Sequence, residues 1–385
     1  MSDEKRHIMV SDLHYDQEEI DAVVEVLKSE WLTMGPKTNE FENELREYLG
    51  ARSVVAVNNG TAALHLSLLG VGVKPGDEVI VTPLTFVACA NSILYTGAKP
   101  VFVDIDKASW NISPKHVQKS ITNKTKAILP VHLAGLPVEM DELLDIARDN
   151  NLSIVDDAAH AIGSEYKGRK IGSFSSVTTF SFFSNKNLSV GEGGAIATND
   201  EKLAERLRIT RSHGLTKSTW SRHKDKDQES YDQLYDMVEL GYNYRITEIN
   251  AALGCVQLGK LDRFNSHRSE VYSLYRDLLE GTPLDFQEIP NYVKHSHHVL
   301  PVLFPKGTRS RIRKDLQDSG IGTSIHYIPI HRLSYYKELG YTGKDLPIAN
   351  DVGVRVITLP LHQKLSEDDV RFIVTKIKES LTGLN

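Results

Sequence analysis

The sequence predicts an α/β protein: a large domain on a mainly parallel, mixed sheet covered by helices, followed by a smaller C-terminal α+β domain. Three observations carry this. Between residues 53 and 198, short β-branched runs alternate with helix-like segments. Those runs are near-continuously apolar, as parallel strands buried on both faces are. At 385 residues the chain also exceeds the usual size of one core.

The strand-like runs are SVVAV (53–57), EVIVT (78–82), PVFVD (100–104), AILPV (127–131), SIVDD (153–157), VTTFSFF (177–183) and GAIAT (194–198). Helix-like stretches lie at 62–69, 87–95, 140–149 and 202–210. Residues 217–236, KSTWSRHKDKDQESYDQLYD, are rich in charge and lack apolar periodicity, so they read as a long surface loop. Over 246–264, Ile246, Ile249, Ala252, Leu253, Val256 and Leu261 suit one amphipathic helix. Helical patterns at 266–279, 309–319 and 368–384 then alternate with short strand-like runs. The expected division is a large domain, 1–254, and a small one, 255–385, with segment 1–30 able to pack on the small domain.

Bulk properties exclude several classes. The formal net charge of -6 offers no attraction to nucleic acid or to an anionic membrane. No run approaches the ~20 apolar residues of a membrane span. The N-terminus, MSDEKRHIMVSDLHYD, lacks the apolar core of a signal peptide. Cys89 and Cys255 make neither a disulfide framework nor a paired zinc motif. A reducing, cytoplasmic setting and no metal are therefore expected.

Three motifs carry chemistry. NNGTAAL (58–64) follows a strand and opens a helix. Gly60 permits a tight backbone and Thr61 can cap, and a helix N-terminus suits an anion such as phosphate; a plain cap has the same spacing. VDDAAH (155–160) puts two aspartates at the carboxyl end of a buried strand, where α/β sheets bind ligands. A carboxylate buried there needs a cation or hydrogen-bond donors, and Asp156 and Asp157 fit equally. His160 is placed to face the same cavity. SFFSNKNLSVGEGGAI (181–196) sets Lys186 between a strand and a loop with three glycines, one βα unit after the aspartates. An amine, a carboxylate and an anion-binding helix start at one sheet edge suit pyridoxal 5'-phosphate. The amine condenses with the aldehyde, the carboxylate keeps the pyridine nitrogen protonated, and the helix start holds the phosphate.

The chain resembles the DegT-type sugar aminotransferases, which have the fold type I pyridoxal-phosphate architecture. The likeness spans nearly the whole chain, through SEWLTMGPKTNEFE (29–42), NNGTAAL, TPLTFVACANSILYTGAKPVFVDID (82–106), PVHLAGLPVEMDEL (130–143), VDDAAHAIGSEYKGRKIG (155–172), FSFFSNKNLSVGEGGAI (180–196), RSHG (211–214), ELGYNYRITEINAALG (239–254), HYIPIH (326–331) and LPLHQKLSEDDV (359–370). It implies Lys186 as the lysine that binds the cofactor covalently, Asp157 as partner of the pyridine nitrogen, His160 beside the ring near its 3-hydroxyl, and Phe86 stacked on the ring. Gly60, Thr61, Ala62 and Ser181 would surround the phosphate. Asn243 would reach the phosphate of the neighbouring subunit's cofactor, in a homodimer with shared active sites. Leu32, Thr33, Met34, Tyr244, Arg245, His326, Tyr327 and the 217–236 loop are the substrate contacts it points to. The implied reaction moves an amino group from L-glutamate to C4 of a nucleotide-linked 4-keto-6-deoxy sugar, for amino-sugar and polysaccharide synthesis. DDAAH, RSHG and MVELGYNYR look closest to members of the pseudaminic-acid pathway, whose substrate is UDP-linked and N-acetylated. A C3 nucleotide-sugar aminotransferase is the alternative; a sugar dehydratase would want histidine at position 186.

Overall fold

The computed structural model describes residues 7–217, 220 and 235–382. Nearly all of the 217–236 loop lies outside the described residues. Strands β1 (Ser53–Val57), β2 (Glu78–Val81), β3 (Lys99–Phe102), β4 (Thr125–Leu129) and β5 (Ser153–Asp157) are followed by the short β6 (Glu165–Tyr166) and β7 (Arg169–Lys170), then by β8 (Val177–Ser181) and β9 (Gly194–Thr198). All but β6 and β7 form one sheet in the order β1-β9-β8-β5-β4-β2-β3. Only β9 runs against the others. The step from β5 to β8 holds the β6–β7 hairpin and no helix, so the expected βα unit before Lys186 is absent. β5 and β8 still pair directly in parallel.

The helices are α1 (Gln17–Lys28), α2 (Pro36–Leu49), α3 (Gly60–Gly70), α4 (Ala88–Tyr95), α5 (Pro114–Ser120), α6 (Met140–Asp149), α7 (Glu201–Arg211), α8 (Glu248–Leu278), α9 (Arg309–Asp318), α10 (Ser334–Glu338), α11 (Pro347–Arg355) and α12 (Glu367–Thr382). Strand side chains alternate between two cores, as the pleat requires. Val54 and Ala56 join Phe41, Leu45, Met140 and Leu143 from α2 and α6. Val55 and Val57 join Leu64, Ile93 and Leu207 from α3, α4 and α7. That double burial is why these strands read as unbroken apolar runs.

Helix α8 runs for 31 residues across both the expected 254/255 division and the expected break near residue 265. Ala251, Leu258 and Leu261 pack under the large sheet. Val271 and Tyr275 pack in a third core, with Leu300, Ile357 and Ile373. That core covers an antiparallel sheet of β10 (Asp285–Phe286), β12 (Leu300–Leu303) and β13 (Val356–Leu359), while β11 (Val293–Lys294) pairs with β6. Asn265 falls between the helical stretches read at 246–264 and 266–279. Inside α8 it is buried, donating to the Ile162 carbonyl (3.1 Å) and accepting from Asn187 (2.7 Å). Ile8 sits in the third core. Helix α1 starts with a capping box of Asp16 and Glu19, and docks on α8 through Lys260, 2.9 Å from Glu19 and 2.8 Å from Asp16.

Candidate active site

The carboxyl ends of β5 and β8 and the start of α3 open onto a cavity of about 810 Å³. At the helix start the cap is Asn59, not Thr61. The Asn59 side chain accepts from the Ala62 amide (2.8 Å) and its carbonyl from the Ala63 amide (3.1 Å). Neither bond uses the amides of Gly60 and Thr61, which line the cavity with Ala62 and Ser181. The helix meets β8 closely. A Cβ on Gly60 would lie 2.8 Å from the Ser181 Cβ, and one on Gly194 would lie 2.6 Å from the Asn59 carbonyl carbon. Glycine at both positions lets the helix end and the Ser181 hydroxyl come together at one edge of the cavity.

Asp157 and Asp156 leave β5 on opposite sides. Asp157 lines the cavity and is 7% exposed. It accepts from the Ala159 amide (2.9 Å) and from the Cys89 thiol (2.8 Å). Burial first, then the Asp157 carboxylate, pushes the Cys89 thiol pKa well up, so it stays a protonated donor. Asp156 turns away, accepting from the Ser175 hydroxyl and from Thr178 (3.2 Å).

Lys186 projects into the same cavity from the loop after β8, half-buried, with Nζ 3.4 Å from His298 Nε2. Burial lowers its pKa to about 8, against an opposing pull from the Asp157 carboxylate. His160 Nδ1 accepts from the Ala134 amide (3.2 Å), so the neutral ring carries its proton on Nε2 and donates to the Tyr327 hydroxyl (3.0 Å). Burial, then Lys186 and His326, holds the His160 pKa well below the usual histidine range. Phe86 lines the cavity and is 57% exposed, its ring 6.3 Å from the Tyr327 ring. Tyr244 and His326 also line the cavity.

Five expected residues do not line it. Asn243 is exposed, its backbone bridged to Ser212, while its neighbour Tyr244 turns inward beside His65 (3.1 Å). Leu32 is exposed and its carbonyl accepts from the Glu248 amide (3.1 Å). Met34 lines a separate cavity of about 230 Å³ with Arg211 and Trp220. Thr33 and Arg245 are half-buried elsewhere. Sequence reasoning passes over Cys89 and His298; the histidine-rich HSHH run (295–298) is the only local signal for the second.

A family model for the DegT/DnrJ/EryC1/StrS aminotransferases matches residues 14–378. The chain belongs to this family. SpsC, a spore coat polysaccharide biosynthesis protein of Bacillus subtilis, is 40% identical over 381 residues, 95% of each chain. GDP-perosamine synthase of Caulobacter vibrioides is 37% identical over 387 residues, 99% of this chain and 100% of its own. Among solved structures, Spr1654 of Streptococcus pneumoniae in its PMP-form superposes with a TM-score of 0.92 at 33% identity, covering 97% of this chain and 99% of its own. PseC of Helicobacter pylori, an aminotransferase of pseudaminic-acid biosynthesis, superposes with a TM-score of 0.91 at 32% identity, covering 98% and 100%.

This DegT-family chain is thus a sugar aminotransferase, a transferase dependent on pyridoxal phosphate, with the fold type I architecture. Its residues fit that cofactor: a glycine-lined cradle at a helix start, a buried carboxylate with its own donors, and an amine of lowered pKa share one cavity. Among the described residues, no helix is long and apolar enough to cross a membrane.

Proposed function

We propose that this sugar aminotransferase moves the amino group of L-glutamate to C4 of a UDP-linked, N-acetylated 4-keto-6-deoxy sugar. The observation that carries the site is the meeting of Lys186, Asp157, Gly60 and Ser181 in one cavity. The C4 and UDP assignments rest on the DDAAH, RSHG and MVELGYNYR motifs and on likeness to PseC. A GDP-linked sugar is the second reading, favoured by the 37% identity with GDP-perosamine synthase.

Bound pyridoxal phosphate supplies an aldehyde that condenses with amines and a ring that delocalises the electron pair left when a proton departs. In this reading the Gly60 and Thr61 amides, the start of α3 and Ser181 hold the phosphate. Asp157, which accepts from the Cys89 thiol and the Ala159 amide, would pair with the ring nitrogen, and Phe86 would cover a ring face. Lys186 would anchor the cofactor and, once displaced, would take a proton from the donor's α-carbon in one half-reaction and deliver one to sugar C4 in the other. A pKa of about 8 leaves part of the amine neutral near pH 7, as a general base needs. His160, hydrogen-bonded to the Tyr327 hydroxyl, would lie beside the ring near its 3-hydroxyl. Asn243, Arg245 and the 32–34 segment, lying outside their own chain's cavity, complete the site of a second subunit in a homodimer.

The test combines two measurements. Adding L-glutamate to the purified holoenzyme should convert the cofactor's absorption to that of the amine form. A panel of UDP-, dTDP- and GDP-linked keto sugars, with product analysis, should return a 4-amino UDP-sugar. Turnover of only a GDP-linked sugar establishes the second reading. In Lys186→Ala the covalently held cofactor and all transamination should vanish, and normal turnover without added amine sinks the assignment.

A further inference from the structure

We propose that His298 is a positioning residue for Lys186: its Nε2 accepts a hydrogen bond from Lys186 Nζ and so turns the amine's own lone pair toward the cavity. The inference rests on the reading of Lys186 above and adds to it a residue with no assigned part.

The direction of the hydrogen bonds follows from a fixed chain of donors. The Asn265 amide nitrogen donates to the Ile162 carbonyl at 3.1 Å, which leaves the Asn265 oxygen as an acceptor. The Asn187 amide nitrogen donates to that oxygen and to the Ser296 carbonyl, both at 2.7 Å. Asn187 therefore turns its own oxygen to His298 Nδ1, 2.9 Å away. An oxygen there requires Nδ1 to carry the proton. In the neutral ring Nε2 is then bare, and it stands 3.4 Å from Lys186 Nζ. Such contacts are commonly long before substrate and cofactor close around them.

The surroundings keep the ring neutral. His298 is buried, with the His160 ring 4.3 Å away. The Arg268 guanidinium donates to the His298 carbonyl at 3.1 Å, and Lys186 and His326 also act on the ring electrostatically. A second positive charge among these groups is disfavoured, and burial, then Lys186, His160, Arg268 and His326, holds its pKa well below the usual range. His298 thus accepts from Lys186 without competing for its proton. Around Lys186 itself, the Asp157 carboxylate favours the charged amine, Cys89 is a protonated thiol, and His160 and His326 are neutral rings. One N–H of the neutral amine points to His298, which sets where the nitrogen's lone pair points.

Two near-isosteric variants separate the halves of the ring. His298→Gln can keep an acceptor where Nε2 stood. His298→Asn can keep the donor to Asn187 but loses that acceptor. The readout is competitive acetylation of Lys186 in the full-length, cofactor-stripped enzyme, followed by peptide mass spectrometry across pH. Loss of an acceptor from an ammonium removes stabilisation of the charged form. In His298→Asn the labelling midpoint should therefore fall by roughly one pH unit, while His298→Gln stays near wild type. Identical midpoints in all three proteins, or an equal fall in both variants, overturns the inference. A second measurement needs no variant: ¹⁵N spectra of the histidine-labelled protein should show His298 protonated at Nδ1, and protonation at Nε2 overturns it equally. Failure here is distinct from failure of the Lys186 reading, which is decided by whether Lys186→Ala still holds cofactor covalently.

Discussion

Asp156 and Asp157 are adjacent on β5, both buried, and differ in the side of the strand they leave. Asp157 reaches the cavity, where a charge can act on a bound ring; Asp156 spends its acceptors on Ser175 and Thr178. Asp157→Asn keeps the shape and removes the charge, so turnover should fall on the order of 100-fold or more, with the fold intact by circular dichroism. Asp156→Asn should leave turnover within a few-fold and lower stability by about 1–3 kcal/mol in urea. The opposite ranking would reverse the assignment. From residue types alone the two carboxylates are equivalent. The distinction comes from the strand's register and from where Ser175, Thr178 and Cys89 stand, and those partners are brought in by other elements.

At the scale of elements, the start of α3 against β8 is the contact that shapes the cradle. It tolerates no side chain at Gly60, because the atom met is the Ser181 Cβ, tied closely to the backbone. Gly60→Ala should cost roughly 1–3 kcal/mol in urea unfolding and raise the cofactor's dissociation constant roughly tenfold. Gly259, exposed on α8 with open space at its Cβ position, is the control. There alanine should gain about 0.5–1 kcal/mol through helix propensity. Most elements are legible in the chain: SVVAV, SIVDD and GAIAT coincide with β1, β5 and β9, and 140–149 with α6. The departures have a common cause. Asn265 looks like a boundary in α8, and the β5–β8 step looks like a βα unit, because local pattern does not report a distant hydrogen-bond partner or a hairpin pairing with β11.

At the scale of the molecule, several histidines have pKa values depressed by burial, among them His160, His295, His297, His298 and His326. Each is neutral when folded. The stability this contributes is fully present above the unfolded pKa of about 6.5 and is lost as pH falls toward the folded values. For His297 and His326 those values are about 4. Each of these two therefore accounts for up to roughly 3 kcal/mol lost between about pH 6.5 and 4. The urea midpoint should fall steeply over that range and stay nearly flat from pH 7 to 8. A midpoint unchanged down to pH 4.5 would show that these rings are not buried neutral.

Periodicity and local motif chemistry were enough for the strand–helix alternation, the helix start after SVVAV, and the grouping of Lys186 with an aspartate and that helix start at one sheet edge. The first two depend on residues close in the chain; the grouping rests on three separate motifs that each follow a strand. Folding in three dimensions was needed to choose Asp157 over Asp156, to put the cap on Asn59, and to bring Cys89 and His298 to the cavity. It also left Asn243, Arg245 and the 32–34 segment outside it. Those outcomes depend on which distant side chains share a small buried volume, where every polar atom needs a partner, and no linear spacing encodes that.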